Sequence, residues 1–252
     1  MQWSAEGIVV AVRAHGETSA VVALLTRDHG RHAGLARGGA GRRGRGVYQV
    51  GNVVAATWRA RLGEHLGTYA CELVRAHAAD LLSEALPLAA LNAVAAVVET
   101  ALPEREPHPA LYDATLAMVA ALHEPGWAPA YVRWEVALLA ELGFGLDLAA
   151  CALTGAAADL AYVSPRTGRA VSRAAAAPYR DRLLALPSFL ADAAAAATPA
   201  AVRDGLALTG HFLDRDVFAA HGRTAPAARD RLVDGLRRLA TISGRMDVPH
   251  GS

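Results

Sequence analysis

Close to its N-terminus the sequence reads Glu6-Gly7-Ile8-Val9-Val10-Ala11-Val12-Arg13, in which Ile8, Val10 and Val12 share one face at a period of two. That period is typical of a β-strand, because successive side chains of a strand point to opposite faces. Four further segments of β character follow, separated by glycine-containing turns. They are Val21–Thr26, Arg31–Arg37, Asn52–Arg61 and Leu66–Leu73.

The segment Asn52–Arg61 shows the alternation most clearly. Val54, Ala56 and Trp58 share one face, which predicts that Trp58 belongs to the interior. Five short strands joined by tight turns predict a small antiparallel barrel of the OB type. Such barrels commonly bind single-stranded nucleic acid across one face.

The positive charge of this part is concentrated in residues 27–45, which hold six arginines and one acid and so carry a local charge of +5, whereas the whole chain carries +1. A cationic strip on an otherwise mildly acidic protein indicates a polyanionic partner; the alternative is a solvated loop. We expect residues 38–46 to form a glycine-arginine loop in which the glycines let the backbone approach the polyanion. Aromatic platforms commonly accompany such charge, and Tyr48 and Tyr69 are the candidates. The candidate DNA-binding residues are Arg27, Arg31, Arg37, Arg42, Arg43, Arg45, Arg59 and Arg61.

From Asp80 onward the apolar period is that of helices. The predicted helices are Ala85–Leu102, Ala110–His123, Pro129–Leu142, Pro187–Ala197, Pro199–His221 and Ala225–Ile242. Residues 103–107 are predicted to be a linker with solvated acids, and residues 146–178 to be irregular. The sequence therefore predicts an α+β fold. An OB-type domain at 1–79 precedes a helical domain at 80–242, and a flexible tail occupies 243–252.

Composition and motifs exclude several classes of function. The two cysteines, Cys71 and Cys151, form no CxxC pair, so we predict no disulfide framework and a reducing cytosol. Neither a leader pattern nor an apolar run long enough for a membrane span occurs, and we expect a soluble cytoplasmic protein. Gly39–Gly44 formally fits GxGxxG, but the residues after it are of β type rather than helical. Because P-loop, GxSxG and HExxH motifs are absent too, we predict no enzyme, no catalytic residue, no cofactor and no small-molecule substrate.

A series of short motifs runs through the chain in a specific order. The N-terminal ones are Gly7-Ile8-Val9-Val10, Gly16-Glu17-Thr18-Ser19, Leu25-Thr26-Arg27-Asp28-His29-Gly30-Arg31 and Leu35-Ala36-Arg37-Gly38. The C-terminal ones are Arg133-Trp134-Glu135, Leu142-Gly143-Phe144-Gly145-Leu146-Asp147, Cys151-Ala152-Leu153-Thr154-Gly155 and Tyr162-Val163-Ser164-Pro165. Their order and spacing resemble the RecO family of DNA repair and recombination mediators, over roughly residues 5–240.

The resemblance implies an OB fold, a helical C-terminal domain and a set of partners. RecO-like proteins bind single- and double-stranded DNA, anneal complementary strands and bind the C-terminal tail of the single-strand-binding protein SSB. With RecR they help to load RecA on SSB-coated DNA, which implies a location at the nucleoid. The SSB tail is acidic with an apolar end, and we expect Tyr131, Arg133 and Trp134 to receive it. The alternative for Trp134 is a place in the core.

Many members of that family hold zinc with two CxxC pairs. The matching positions here are Cys151, Thr154, Ser172 and Ala175, so one of the four ligands is a cysteine. Because a zinc site needs about four ligands, we predict no metal and a degenerate zinc loop held by packing. Cys151 is then expected to be a small buried residue.

Two other functions stay open at this point. The first is a different OB-fold module that binds RNA or takes part in translation, for which more exposed aromatic residues would be expected. The second is an enzyme that uses the arginines as an anion site, which would need a deep pocket with converging acids or histidines.

Overall fold

The computed structural model describes residues 1–192 and 194–246. Five strands form a closed barrel in the order β1-β2-β3-β5-β4, which confirms the predicted OB-type architecture. The pairs are antiparallel except for β3 with β5, which run parallel over two residues. The strands are β1 (Gln2–His15), β2 (Ser19–Thr26), β3 (Gly30–Ala36), β4 (Val53–Arg59) and β5 (Thr68–Arg75).

The barrel interior is built from alternate residues of all five strands. Trp58 is 2% exposed and packs there with Val9, Leu24 and Val54, as the period of β4 predicts. In β1 the predicted single buried face is wrong. A register shift between Val9 and Ala11 interrupts the alternation, so residues 8–11 are all buried and Val12 is exposed.

The helices of the first part are α1 (Arg42–Val47), α2 (His77–Asp80), α3 (Ala85–Ala101) and α4 (Pro109–Ala121). Helix α3 packs against β1, and this contact accounts for burial on the second face of that strand. The barrel and these helices belong to one compact unit, Met1–Pro125 with Pro226–Arg229, and the second unit comprises Gly126–Ala225 and the chain from Asp230 onward.

Residues 103–107 are more than a linker, although Glu104 and Glu106 are exposed as predicted. The backbone N–H of Arg105 donates to the Arg31 carbonyl over 2.8 Å, and Glu104 forms a parallel bridge with Arg31. The segment therefore covers the part of the β3 edge that β5 leaves unpaired, and an uncovered edge would be open to pairing with another chain. Gly30, at φ +61°, is required here, because a Cβ atom would overlap the Glu106 carbonyl.

The second unit is mainly helical, and α5 packs against α8. Its helices are α5 (Ala128–Glu141), α6 (Arg173–Ala176), α7 (Ser188–Ala191), α8 (Pro199–Phe212) and α9 (Ala227–Met246). The prediction of an irregular segment at 146–178 is wrong in part, because β6 (Leu160–Val163), β7 (Ala170–Ser172) and β8 (Leu184–Ala185) form a sheet in the order β7-β6-β8.

Two helix predictions in this unit need correction, and a third is confirmed in its bounds to within a few residues. Of the described residues of the predicted helix Pro187–Ala197, only Ser188–Ala191 are helical. The predicted helix Pro199–His221 is α-helical as far as Phe212, continues as a π-helix to Phe218 and ends in a 3-10 turn. The last helix extends to Met246, so the predicted tail begins within it; residues 247–252 lie outside the described part.

Within the described residues, no helix has the length and apolar character that crossing a membrane requires.

Candidate nucleic-acid interface

Four of the candidate arginines follow β3 on one short surface segment. Arg37 lies in the turn after the strand, and Arg42, Arg43 and Arg45 belong to α1; all four are exposed. The Arg45 Nε donates to the Ala40 carbonyl over 2.8 Å, which leaves the other N–H groups of its guanidinium available. We name Arg37, Arg42, Arg43 and Arg45 the α1 cluster.

The glycines around this cluster serve the local fold. Helix α1 lies directly on the turn at residues 38–39, and a Cβ atom at Gly44 would overlap Gly38 O and Gly39 Cα. The backbone N–H of Ala40 donates to Thr18 O over 2.9 Å and ties this turn to the β1–β2 turn. The prediction of an open glycine-arginine loop is therefore wrong for residues 42–47, which are helical and present three arginines from a fixed backbone.

Arg59 and Arg61 lie at the end of the barrel where β3 begins, whereas Arg37 and α1 lie where β3 ends. Strands β3 and β5 run parallel and β4 runs antiparallel to them, so β4 ends beside the start of β3. Arg105, which donates to the Arg31 carbonyl, accordingly also donates to His65 O in the β4–β5 turn over 2.9 Å. Arg59 and Arg61 are both exposed, and the Arg59 Nε donates to Gln2 Oε1 over 3.0 Å. Exposed candidate arginines therefore lie at both ends of the barrel, the α1 cluster at one end and Arg59 with Arg61 at the other.

Arg27 and Arg31 lie at the same end of the barrel as Arg59 and Arg61, but their guanidinium groups are bound within the protein. They stand at the β2–β3 turn, and six residues of strand separate Arg31 from Arg37 by about 20 Å. Arg27 makes two hydrogen bonds to the Asp113 carboxylate, at 3.2 and 2.9 Å, and this guanidinium lowers the pKa of Asp113. The side chain of Arg31 is 12% exposed, donates to Leu102 O over 3.0 Å and lies 3.4 Å from a Glu104 carboxylate oxygen. Both guanidinium groups are thus held by α4 or by the segment that precedes it, and their contact with DNA stays a prediction.

The predicted aromatic platforms are not on the surface. Tyr48 is 9% exposed and Tyr69 5% exposed, and both belong to the barrel core. Burial raises the pKa of both phenols, and the Tyr69 hydroxyl donates to the His32 carbonyl over 3.2 Å. Sequence reasoning missed the partly exposed rings of Trp3 and His29, which stack with their centroids 4.1 Å apart. For His29 the available signal is its place in a turn between arginines, whereas nothing near Trp3 in the sequence marks it.

The three residues predicted to receive the SSB tail lie on α5. Tyr131 is 0% exposed and Trp134 is 3% exposed, so the prediction that their rings line a surface site needs correction. They occupy the apolar face that α5 turns to the interior, together with Leu138. Arg133 donates to the Phe189 carbonyl over 3.1 Å, and its guanidinium carbon lies 5.2 Å from the Phe189 ring centroid.

A separate apolar pocket of about 370 Å³ lies within the second unit. Its walls come from the start of α5, from α8 and from α9, and include Pro129, Val202, Leu206, Val233 and Leu236. Arg203 and Arg237 also line it. The pocket thus has a mainly apolar lining together with two arginines, which form ion pairs with Asp204 and Asp234.

The positions that match the family's zinc ligands lie close together, but most of their side chains cannot bind zinc. Cys151 is 2% exposed, and its sulfur accepts the Ser172 backbone N–H over 3.3 Å. Val171 and Ala176 pack against it, and Ala175 is partly buried beside them. Thr154, Ser172 and Ala175 supply no thiolate or imidazole, so the donor set does not fit zinc. Within the described chain, no cluster of three or more histidine, cysteine, aspartate or glutamate side chains could hold a metal ion.

Two family models match this chain. Recombination protein O N terminal matches residues 1–77, and Recombination protein O C terminal matches residues 83–224. The DNA repair protein RecO of Rhodospirillum centenum is 58% identical over 251 residues, which is 99% of this chain and 100% of the relative. The protein of the same name from Rhodospirillum rubrum is 54% identical over 94% of this chain and 97% of its own length. That of Jannaschia sp. is 50% identical over 97% of this chain and 100% of its own.

Proposed function

Because the chain belongs to the RecO family of DNA repair proteins, we propose that it is a DNA-binding recombination mediator without a catalytic activity of its own. It binds single- and double-stranded DNA in the cytoplasm at the nucleoid, and it anneals complementary strands. With RecR it helps to load RecA on SSB-coated single strands.

The observation that carries the proposal is the set of exposed arginines on the barrel. The α1 cluster, Arg59 and Arg61 are exposed, and the rigid turn and helix hold the cluster in place. Guanidinium groups bind phosphate oxygens through charge-assisted hydrogen bonds and carry no sequence information in doing so. Neutralising the phosphates of two strands on one surface lowers their mutual repulsion, which is what annealing requires.

The SSB tail would bind in the apolar pocket between α5, α8 and α9. An acidic peptide with an apolar end fits a floor formed by Val202, Leu206 and Val233 and a margin that includes Arg203 and Arg237. This proposal replaces the buried rings of Tyr131 and Trp134 as the receiving site.

Annealing of SSB-coated complementary strands by the purified protein tests the function. We expect annealing to exceed the spontaneous rate several-fold and to require the SSB tail, so that SSB without its tail gives no stimulation. A competition between single-stranded DNA and RNA of the same sequence tests the alternative, because clear preference for RNA would favour an RNA-binding module. If the protein neither binds single-stranded DNA nor accelerates annealing, the proposal is refuted.

The pocket has its own test. Leu206→Asp places a carboxylate on the apolar floor, and we expect it to weaken binding of a peptide with the SSB tail sequence at least tenfold. Arg133→Ala, outside the pocket lining, is the matched control and should leave peptide binding unchanged. Equal peptide affinity of the Leu206→Asp variant and the unmodified protein would exclude this pocket.

A further inference from the structure

Three nearly parallel rings lead from the barrel interior to its surface. The Trp3 and Trp58 rings have centroids 5.8 Å apart at an interplanar angle of 19°, and His29 stacks on Trp3 at 4.1 Å and the same angle. Trp58 is buried, whereas Trp3 and His29 are both partly exposed. We name Trp58, Trp3 and His29 the ring column.

The column is held in place by the barrel itself. Trp3 pairs with Trp58 in the register of β1 with β4, and the backbone N–H of His29 donates to Thr26 Oγ1 over 3.2 Å. The His32 ring contacts Trp3 and Trp58 edge-on, with centroids 5.1 and 4.9 Å away. The rings are therefore oriented before any ligand binds, which keeps the entropic cost of ordering them low.

The column lies beside Arg59, the last residue of β4. Gln2, next to Trp3 in the chain, accepts a hydrogen bond from Arg59 Nε, and Arg61 follows two residues later on the surface. A partly exposed aromatic pair next to exposed cations is the combination that binds a base together with its phosphate.

We propose that one unpaired base of a single strand stacks on the exposed surface of the Trp3–His29 pair while Arg59 and Arg61 contact its phosphates. This inference rests on the proposed DNA-binding function and adds to it a preference for single strands over duplex DNA. Phosphate contacts are the same for single and double strands, whereas a base can stack here only when it has left the duplex. The ring column thus makes binding at this end of the barrel selective for single strands.

The test uses the full-length protein and three DNA probes: oligo(dT), an oligonucleotide of equal length with abasic residues, and a duplex. His29→Gln keeps a polar side chain and removes the ring, and His29→Phe restores an aromatic ring. We expect His29→Gln to lower the affinity for oligo(dT) about five- to 150-fold, the range expected for one lost stacking contact. Its affinity for the abasic strand and the duplex should stay within twofold of the unmodified protein, and His29→Phe should recover most of the oligo(dT) affinity.

The outcomes separate this inference from the proposed function. If the unmodified protein binds none of the three probes, the DNA-binding function fails. If it binds them and His29→Gln binds oligo(dT) equally well, or loses the same factor on the abasic strand, stacking is refuted while DNA binding stands. A circular dichroism spectrum and urea midpoint equal to those of the unmodified protein establish that His29→Gln is folded.

Discussion

Removing the charge of Arg42, Arg43 and Arg45 should change the salt dependence of DNA binding by a definite amount. The structure exposes all three side chains on α1, so each can contact one phosphate. For a single strand the slope of log K against log salt is about −0.7 per neutralised phosphate, so the triple Arg→Gln variant should lose about 2 units of slope. Between about 50 and about 200 mM salt, the affinity of the unmodified protein should then fall roughly 20-fold more than that of the variant.

The assay is fluorescence anisotropy of a labelled oligo(dT) titrated with protein over that range of salt. Glutamine keeps the side-chain length and suits a helix, so the change is chiefly one of charge. The matched control replaces Arg166, Arg180 and Arg182, which are exposed in the second unit, by glutamine and removes the same net charge. An unchanged slope in the α1 variant, or an equal change in the control, would refute the assignment of these arginines to the interface.

Three further predictions concern stability. Gly30→Ala, at φ +61° and against the Glu106 carbonyl, should lower the free energy of unfolding by about 2 kcal/mol or more, measured in urea, because the 103–107 segment must move away from β3. The pKa of His77 is lowered to about 4 by burial and by the neighbouring His123. The Nδ1 atom of His77 lies 2.8 Å from the Nε2 atom of His123. The unfolded chain therefore binds more protons than the folded protein between about pH 6.5 and 4, so the free energy of unfolding should fall as pH falls through that window. Between pH 7 and 5 the His77→Gln variant should lose less unfolding free energy than the unmodified protein. Trp134→Ala should cost about 3–5 kcal/mol of unfolding free energy, as expected for a core ring; a change below about 1 kcal/mol would contradict its burial.

The barrel could be predicted because its evidence is local. The alternation of Val54, Ala56 and Trp58 reports directly which face of β4 is buried, and the glycine turns mark where each strand ends. The same rule failed in β1, because a bulge and a helix packed on its second face come from distant parts of the chain. The small sheet β7-β6-β8 was missed for a related reason: strands of two to four residues are too short for a period to be seen.

The sequence predicted which types of residue form the candidate site, but only part of how they are arranged. Charge density alone indicated a polyanion, and seven of the eight candidate arginines are exposed, although they are divided between the two ends of the barrel. Arg27 and Arg31 could not be separated from the others by sequence, because their partners Asp113 and Glu104 are about 70 to 90 residues away in the chain. Tyr48 and Tyr69 resemble surface platforms in sequence, yet both are buried.

The sequence by itself determined the family, the OB-type barrel, the helical second part and the concentration of arginine in residues 27–45. These properties follow from local periodicity, turn residues and charge, which a linear chain displays directly. Only the tertiary structure decided which arginines are exposed and which are paired, and which aromatic rings reach the surface. Trp3 and His29, 26 positions apart in the chain, become one stacked pair because the closure of the barrel brings the start of β1 to the β2–β3 turn.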